Sequence, residues 1–505
     1  MKKIIRVVEI KTGISGVDTE GARKNYLAEA HEKDFDALKR DAAERWTMVL
    51  NSIEIETPDL KKKELFYTSL HNVMMYPMLY SDVDHRFRGP DRQVYQTDGF
   101  SYYGGVVGCW DVFRAAFPLI AVLFPDVATD YVQTFLEFFK YAGQLPIWVL
   151  AGVETYQMTG IHSIPMITNG YLNGLKFDTD AAIKAMTVTA MKDTSGFSMR
   201  YFVGLENYKK YGYVPCDLEM ESVARTLEYA FNDRAIARLA ELTGHQEVFD
   251  YFYQRSFNFR NVFDTTILFV RGKTKDGTWR TPFNPLLSNH RRDDYCEGNA
   301  WQWTFFVPHD VEGLARLMGG KQVLAARLDS LFTMSSILEG DIISGDITGL
   351  IGQYAHGNEP SHHIVYMYNK VEQPTKTQHY VNRVLTTLYD NTPDGYCGNE
   401  DTGQMSAWYV FSALGFYPMD PTSGRYEIGA PLFPHAKINL PSGKPFIIKA
   451  VNLSEKNIYV DKVFLNNKQL DRTYLTFDEL LQGGELLFEM TDNCKPKGIQ
   501  YEIIN

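Results

Sequence analysis

Along most of the chain, apolar residues recur three or four positions apart. Phe35, Leu38, Ala42, Trp46, Val49 and Leu50 set the pattern, which places apolar side chains on one face of a helix. The same spacing predicts helices over 61–79, 109–123, 127–141, 162–174, 178–191, 219–241 and 246–258. It predicts more over 309–317, 321–331, 362–370, 375–389 and 404–415. Turn signals such as Tyr211-Gly212-Tyr213 and Asp276-Gly277 divide them. About twelve helices after the first suggest six hairpins, and six hairpins closing on themselves make an (α/α)6 barrel. A superhelical array is the alternative, but no repeating period supports it.

Beyond about Pro421 the period shortens. Tyr426–Ile428, Lys437–Leu440, Phe446–Ile448, Ile458–Val460, Val463–Leu465 and Leu486–Phe488 read as short strands, with a turn at Pro441-Ser442-Gly443. The fold expected is therefore mainly α with β: a helical barrel over 31–420, then a β-rich domain over 421–505. Ahead of the barrel, Ile5, Val7, Glu9 and Lys11 read as a strand with no partner strand nearby.

Composition narrows the function. The 505 residues are 45% hydrophobic and 22% charged, ordinary values that make disorder and fibre poor readings. Net charge is −11, which argues against nucleic acid as a main partner and leaves carboxylates for catalysis or a hard metal. No apolar run is long enough to span a membrane; the longest candidate, Ala115 to Pro125, has the length of a buried core segment. The five cysteines are widely spaced with no C-x-x-C pair, against a zinc ribbon, a dithiol site or a disulfide framework. Cys296 and Cys397 read as packing residues. Aromatics reach 14%; they fill a large core, or some of them line a site that stacks sugar rings.

Three loops between helices concentrate polar and aromatic residues. In Asp293–Trp303, a carboxylate set between aromatics suits a general acid, because apolar neighbours disfavour its charged form. The plainer reading has Asp294 capping a helix with Glu297 in its first turn. In Gln353–His363, three histidines crowd beside Asn358 and Glu359 without the spacing of a zinc site. Asn, Glu and carbonyl oxygens suit calcium better; a helix cap with histidines in its first turn is the alternative. In Asp394–Tyr409, glycines flank Glu400 and Asp401 at the entry to a helix, a place for a carboxylate base and a hard cation, or a solvated acidic turn. A fourth cluster holds Asp98-Gly99-Phe100 and Cys109–Arg114. There Trp110 and Asp111 could engage a sugar, or Trp110 is core and Asp111 pairs with Arg114.

CEGNAWQW, HGNEPSHH, GNEDTGQMSAWYVFSALGFYP, GCWDVFR and SDVDHRFRG, in that company, resemble glycoside hydrolase family 92, the calcium-dependent exo-acting α-mannosidases. The resemblance runs from about residue 4 to about residue 490. It implies an (α/α)6 barrel with β-domains, a site at their junction, and hydrolysis of terminal α-linked mannose from glycans with inversion. It implies Glu297 as the general acid; members that cleave mannose phosphodiesters carry Gln there. It implies Asp401 as the base, with Asn399 where some members place a supporting Asp. Ca²⁺ is implied beside the base, with Asn358, Glu359 and Asp401 as its ligands. Trp110, Asp111, His162, His356 and Glu359 are implied as substrate contacts. Inversion calls for an acid and a base ~6.5–9.5 Å apart across the anomeric carbon.

Members of this family also carry an N-terminal β-sandwich. Residues 1–30 resemble the last strand of that domain and the linker that follows it. The expectation from this is a truncated reading frame or one half of a split protein, with a β-sandwich as missing partner. The family is mostly periplasmic or secreted, and no signal peptide is legible at MKKIIRVVEI, which suggests a cytoplasmic or truncated chain. The rival function is a non-catalytic or impaired glycan-binding fragment.

Overall fold

The computed structural model describes residues 8–192 and 203–494. Ile5 and Val7 lie outside them, and the rest of the expected N-terminal strand, through Glu9 and Lys11, is irregular chain outside any sheet. Side chains hold it: Phe35 N donates to Glu9 Oε1 at 3.0 Å, and Lys11 Nζ donates to the His31 carbonyl at 3.3 Å. A helix that periodicity did not signal, Thr19–Glu29, follows; Asp18 caps it by accepting from Gly21 N at 2.7 Å.

The helices expected from periodicity form, and their burial alternates. Ala116–Leu123, Ser163–Leu172, Ser222–Thr243, Ala300–Trp303, Met367–Lys370 and Gln404–Leu414 are buried along most of their lengths. Pro125–Ala142, Thr179–Thr189, Gln246–Arg255, Lys321–Thr333, Pro374–Thr387 and Leu60–Met75 bury one face only. Ala116–Leu123 packs on Ser163–Leu172, Ser163–Leu172 packs on Ser222–Thr243, and Gln404–Leu414 returns to pack on Ala116–Leu123. This is the inner and outer alternation of the (α/α)6 arrangement.

Two expected helices are broken, for identifiable reasons. The stretch 109–123 splits into Cys109–Val112 and Ala116–Leu123. The N–H groups freed at Ala115 and Ala116 donate to Gln404 Oε1 at 2.9 and 3.1 Å. The stretch 362–370 becomes a 3₁₀ turn, Ile364–Tyr366, followed by Met367–Lys370. The helix Phe35–Leu50 forms, yet none of its residues is buried and Phe35 is 65% exposed.

The C-terminal sheet has six strands in the order Ile53–Glu56, His435–Asn439, Pro445–Val451, Gly484–Thr491, Tyr459–Leu465, Lys468–Gln469. Its edge strand, Ile53–Glu56, comes from the far end of the chain and was not legible as a strand. Ile53 pairs with Ile438 and Ile55 with Ala436, and both isoleucines face the core. Pro445–Val451 and Gly484–Thr491 run parallel; the other pairs are antiparallel. A second sheet of Phe416–Tyr417, Arg425–Ile428 and Tyr474–Thr476 joins this layer to the helices. Among the described residues, no helix is long and apolar enough to cross a membrane.

Candidate active site

Glycines let the loops of the site meet. A Cβ on Gly398 would lie 2.5 Å from the Gly357 carbonyl oxygen, and one on Gly357 would lie 1.9 Å from Thr348 Oγ1. The HGNE and GNED loops therefore touch backbone to backbone, which no larger residue permits. Gly398→Ala is expected to force the loops apart at a cost of about 1–3 kcal/mol of stability, with catalysis impaired well beyond that. Thermal melting and kcat/KM measured side by side check this; wild-type values for both would show that the loops do not meet there.

Glu297 stands on a loop that a helix cap fixes. Asn299 caps Ala300–Trp303 in a reciprocal box with Gln302, and both side chains also bond to Gln353, at 3.0 and 2.7 Å. The cap is thus Asn299, not Asp294, which pairs with Arg280 at 2.9 Å and accepts from Ser222 Oγ at 3.0 Å. Glu297 lies before the helix with φ at +46°, a conformation non-glycine residues rarely hold. Asn358 Nδ2 donates to the Glu297 carbonyl at 2.8 Å and approaches its Oε2 at 3.5 Å. Burial, then the negative charges of Asp346 and Asp401, push the Glu297 carboxyl up to about 8. It therefore holds a proton at neutral pH.

Asp401 and Thr402 are also left-handed, with φ at +49° and +55°. The helix that follows them is tied to the body by Gln404, whose Nε2 meets His362 Nδ1 at 3.1 Å. Burial raises the proton affinity of Asp401. Glu359 is fully buried, and neither of its oxygens has a conventional hydrogen-bond partner. The carboxyl of Asp401 approaches it, and two carboxyls hydrogen-bond only when one holds a proton. Asp111 is the third member of the cluster, held by Trp148 Nε1 at 3.1 Å. Burial, and the charges of its neighbours, raise both Asp111 and Glu359 far above the usual carboxylate range. The cation facing them is Arg114, itself buried against Trp110, Phe113 and Phe306. Three carboxyls against one guanidinium leave the pocket short of positive charge.

This constellation sits in a sequence whose residues 21–492 match the description "glycosyl hydrolase family 92 catalytic domain". The chain belongs to glycosyl hydrolase family 92. It is 36% identical to a family 92 α-mannosidase of Bacteroides thetaiotaomicron, solved in complex with mannoimidazole. The two superpose with a TM-score of 0.90 over 97% of this chain and 65% of that one. An inverting family 92 mannosidase of the same species is 33% identical, with a TM-score of 0.86 over 96% of this chain and 68% of that one. An uncharacterized secreted glycosidase of Arthroderma benhamiae is 25% identical over 95% of this chain and 60% of its own length. The chain thus spans roughly two thirds of the length of these family 92 proteins.

Of the residues expected to serve a family 92 site, the structure gathers Glu297, Asp111, Glu359 and Asp401. Others lie in the wall behind. Trp110 is buried as core, and its Nε1 donates to Glu228 Oε1 at 2.6 Å. His162 lies 3.3 Å from the same oxygen and stacks on Phe113 with ring centres 4.2 Å apart. Burial lowers its proton affinity. His356 has both ring nitrogens engaged, by the hydroxyls of Tyr354 and Tyr389 at 2.7 Å each, and burial lowers it to about 3. That leaves the ring no nitrogen to offer a sugar. Asn358 has its amide oxygen on Glu359 N at 3.1 Å and its NH₂ on the Glu297 carbonyl at 2.8 Å, so it tethers the HGNE loop to Glu297. Reading by sequence missed Trp148 and Asp346. Trp148 lies in the short hairpin of Trp148–Leu150 and Val153–Glu154 and pairs with Gly108 on a third strand, where a Cβ on Gly108 would lie 2.5 Å from Asp111 Oδ2 and 2.9 Å from Trp148 Nε1. An aromatic beside the Ala151-Gly152 turn was the available signal.

Proposed function

We propose that the chain hydrolyses terminal α-linked mannose with inversion, Glu297 acting as acid and Asp401 as base, with Ca²⁺ bound at the carboxylate cluster. The observation that supports this most is the burial of Glu297 beside a carboxylate cluster containing Asp401, whose charge helps push the Glu297 carboxyl up to about 8. The two similar Bacteroides proteins, a mannosidase and an inverting mannosidase, supply the substrate class. Glu297 would place its proton on the glycosidic oxygen as the bond to the anomeric carbon breaks. Asp401 would draw the proton from a water attacking the opposite face, so the configuration inverts. Trp148 holds Asp111 in place, and Asn358 links the two halves of the site.

Among the described residues, no three His, Cys, Asp or Glu side chains converge closely enough to hold an ion alone. The unpartnered oxygens of Glu359, beside Asp401 and Asp111, nevertheless suit a hard cation that also takes carbonyl and water oxygens, as Ca²⁺ does. Glu359 and Asp401 would hold it. When bound, such an ion polarises sugar hydroxyls and water and neutralises the excess negative charge.

The reading is tested by following an aryl α-mannoside by proton NMR. The first sugar released should be β-mannose, equilibrating later to the α form; α-mannose appearing first would overturn inversion. Chelation is expected to abolish turnover and also lower the melting temperature. An ion present at 100 times its Kd contributes about 2.7 kcal/mol to stability. Added Ca²⁺ should restore both, better than Zn²⁺; an unchanged melting curve and full turnover in excess chelator would count against the ion.

A further inference from the structure

Fifteen non-glycine residues among the described ones have positive φ, and five of them line a single cavity of about 270 Å³. They are Tyr156, Met158, Glu221, Arg291 and Glu297, at +59°, +70°, +54°, +58° and +46°. Left-handed backbone at non-glycine positions is unfavourable and gathers where function over-determines the chain. Glu297 is in the wall of this cavity, and Asp111, Glu359 and Asp401 are not. The acid therefore faces two spaces, the carboxylate cluster and this one.

Across the cavity, Arg291 Nη2 donates to Gln157 Oε1 at 2.8 Å, joining the loop before Glu297 to the segment that follows the hairpin carrying Trp148. Arg225, the other arginine there, is neutralised by Glu221 at 2.7 Å. No carboxylate among the described residues pairs with Arg291, and its side chain is exposed with donors to spare. Met158 adds an apolar, adaptable surface. A fork of guanidinium and amide beside a thioether wall suits a pyranose, with hydroxyls at its edge and an apolar face. The volume has room for one ring.

Resting on the hydrolase reading above, we propose that this cavity receives the leaving-group sugar, with Arg291 and Gln157 hydrogen-bonding its hydroxyls. These two residues then set the preference for a glycan over an aryl leaving group. Neither lies in the motifs shared with the family. Glu297, in the same wall, is positioned to protonate the oxygen joining the two rings.

The test compares wild type, Arg291→Ala, Arg291→Lys and Gln157→Ala on mannobioses and on 4-nitrophenyl α-mannoside. For Arg291→Ala, the loss of kcat/KM on the preferred mannobiose should exceed the loss on the aryl substrate by at least tenfold. Arg291→Lys, which keeps the charge and loses the fork, should recover only part. Equal losses on both substrates, or none on the disaccharide, would overturn the proposal. Binding is read independently with a thio-linked mannobiose and methyl 1-thio-α-mannoside, neither of which is cleaved. Wild type should bind the disaccharide more tightly, and Arg291→Ala should erase that difference; a difference left intact would overturn the subsite. If wild type cleaves no aryl glycoside, the hydrolase reading fails, while the thio-disaccharide still decides the cavity's role.

Discussion

Replacing Glu297 by glutamine is expected to lower kcat/KM on mannobiose by roughly 10²–10⁴-fold, the usual size of general-acid assistance. The amide keeps the shape and the contact with Asn358 but has no proton to give. A sugar alkoxide is a poor leaving group and needs that proton. A dinitrophenolate or fluoride needs little help, so its loss should be much smaller. Equal losses on all substrates would remove Glu297 from the acid role. The pH profile carries a second signature. The protonated form is the active one, and burial with its negative neighbours holds Glu297 at about 8. Activity on glycans should therefore persist through neutrality and fall as pH rises past about 8. That alkaline limb should vanish in Glu297→Gln.

Asp401→Asn is expected to cost a similar factor, roughly 10²–10⁴, but with a different dependence on substrate. Water must be activated whatever group departs, so dinitrophenyl and disaccharide substrates should suffer alike. The substitution also removes one charge from the cluster with Asp111 and Glu359, so chelator should strip the protein more easily. Azide, which needs no base, should restore part of the turnover on an activated substrate and yield β-mannosyl azide. A loss confined to poor leaving groups would transfer Asp401 to the acid side and overturn the assignment.

The helices were legible because one buried face leaves a period of three to four residues in the sequence. The strand Ile53–Glu56 was not, because four residues of alternation between two helices carry little signal. The site was legible as loops, since glycines, acids and aromatics crowd where helices would otherwise be. What each side chain does there was less legible. His356 lies two residues from Asn358, yet its partner Tyr389 is 33 residues away and turns it inward. Trp110 read equally as a sugar contact or as core, and Glu228, 118 residues on, takes its N–H and holds it in the core. Chemistry in the motif is local, but orientation depends on partners that only the fold brings near.

The pairing of Ile53 with Ile438 sets a timetable for synthesis. About 385 residues separate them, and Leu60–Met75 must likewise wait for Gln404–Leu414. At ~5–20 residues per second, the ribosome takes roughly 20–80 s to make the partner strand. Throughout that interval Ile53 and Ile55 have no sheet to cover them, and the helical ring lacks its last member. A pause late in translation would therefore prolong the exposure of these apolar side chains and favour aggregation.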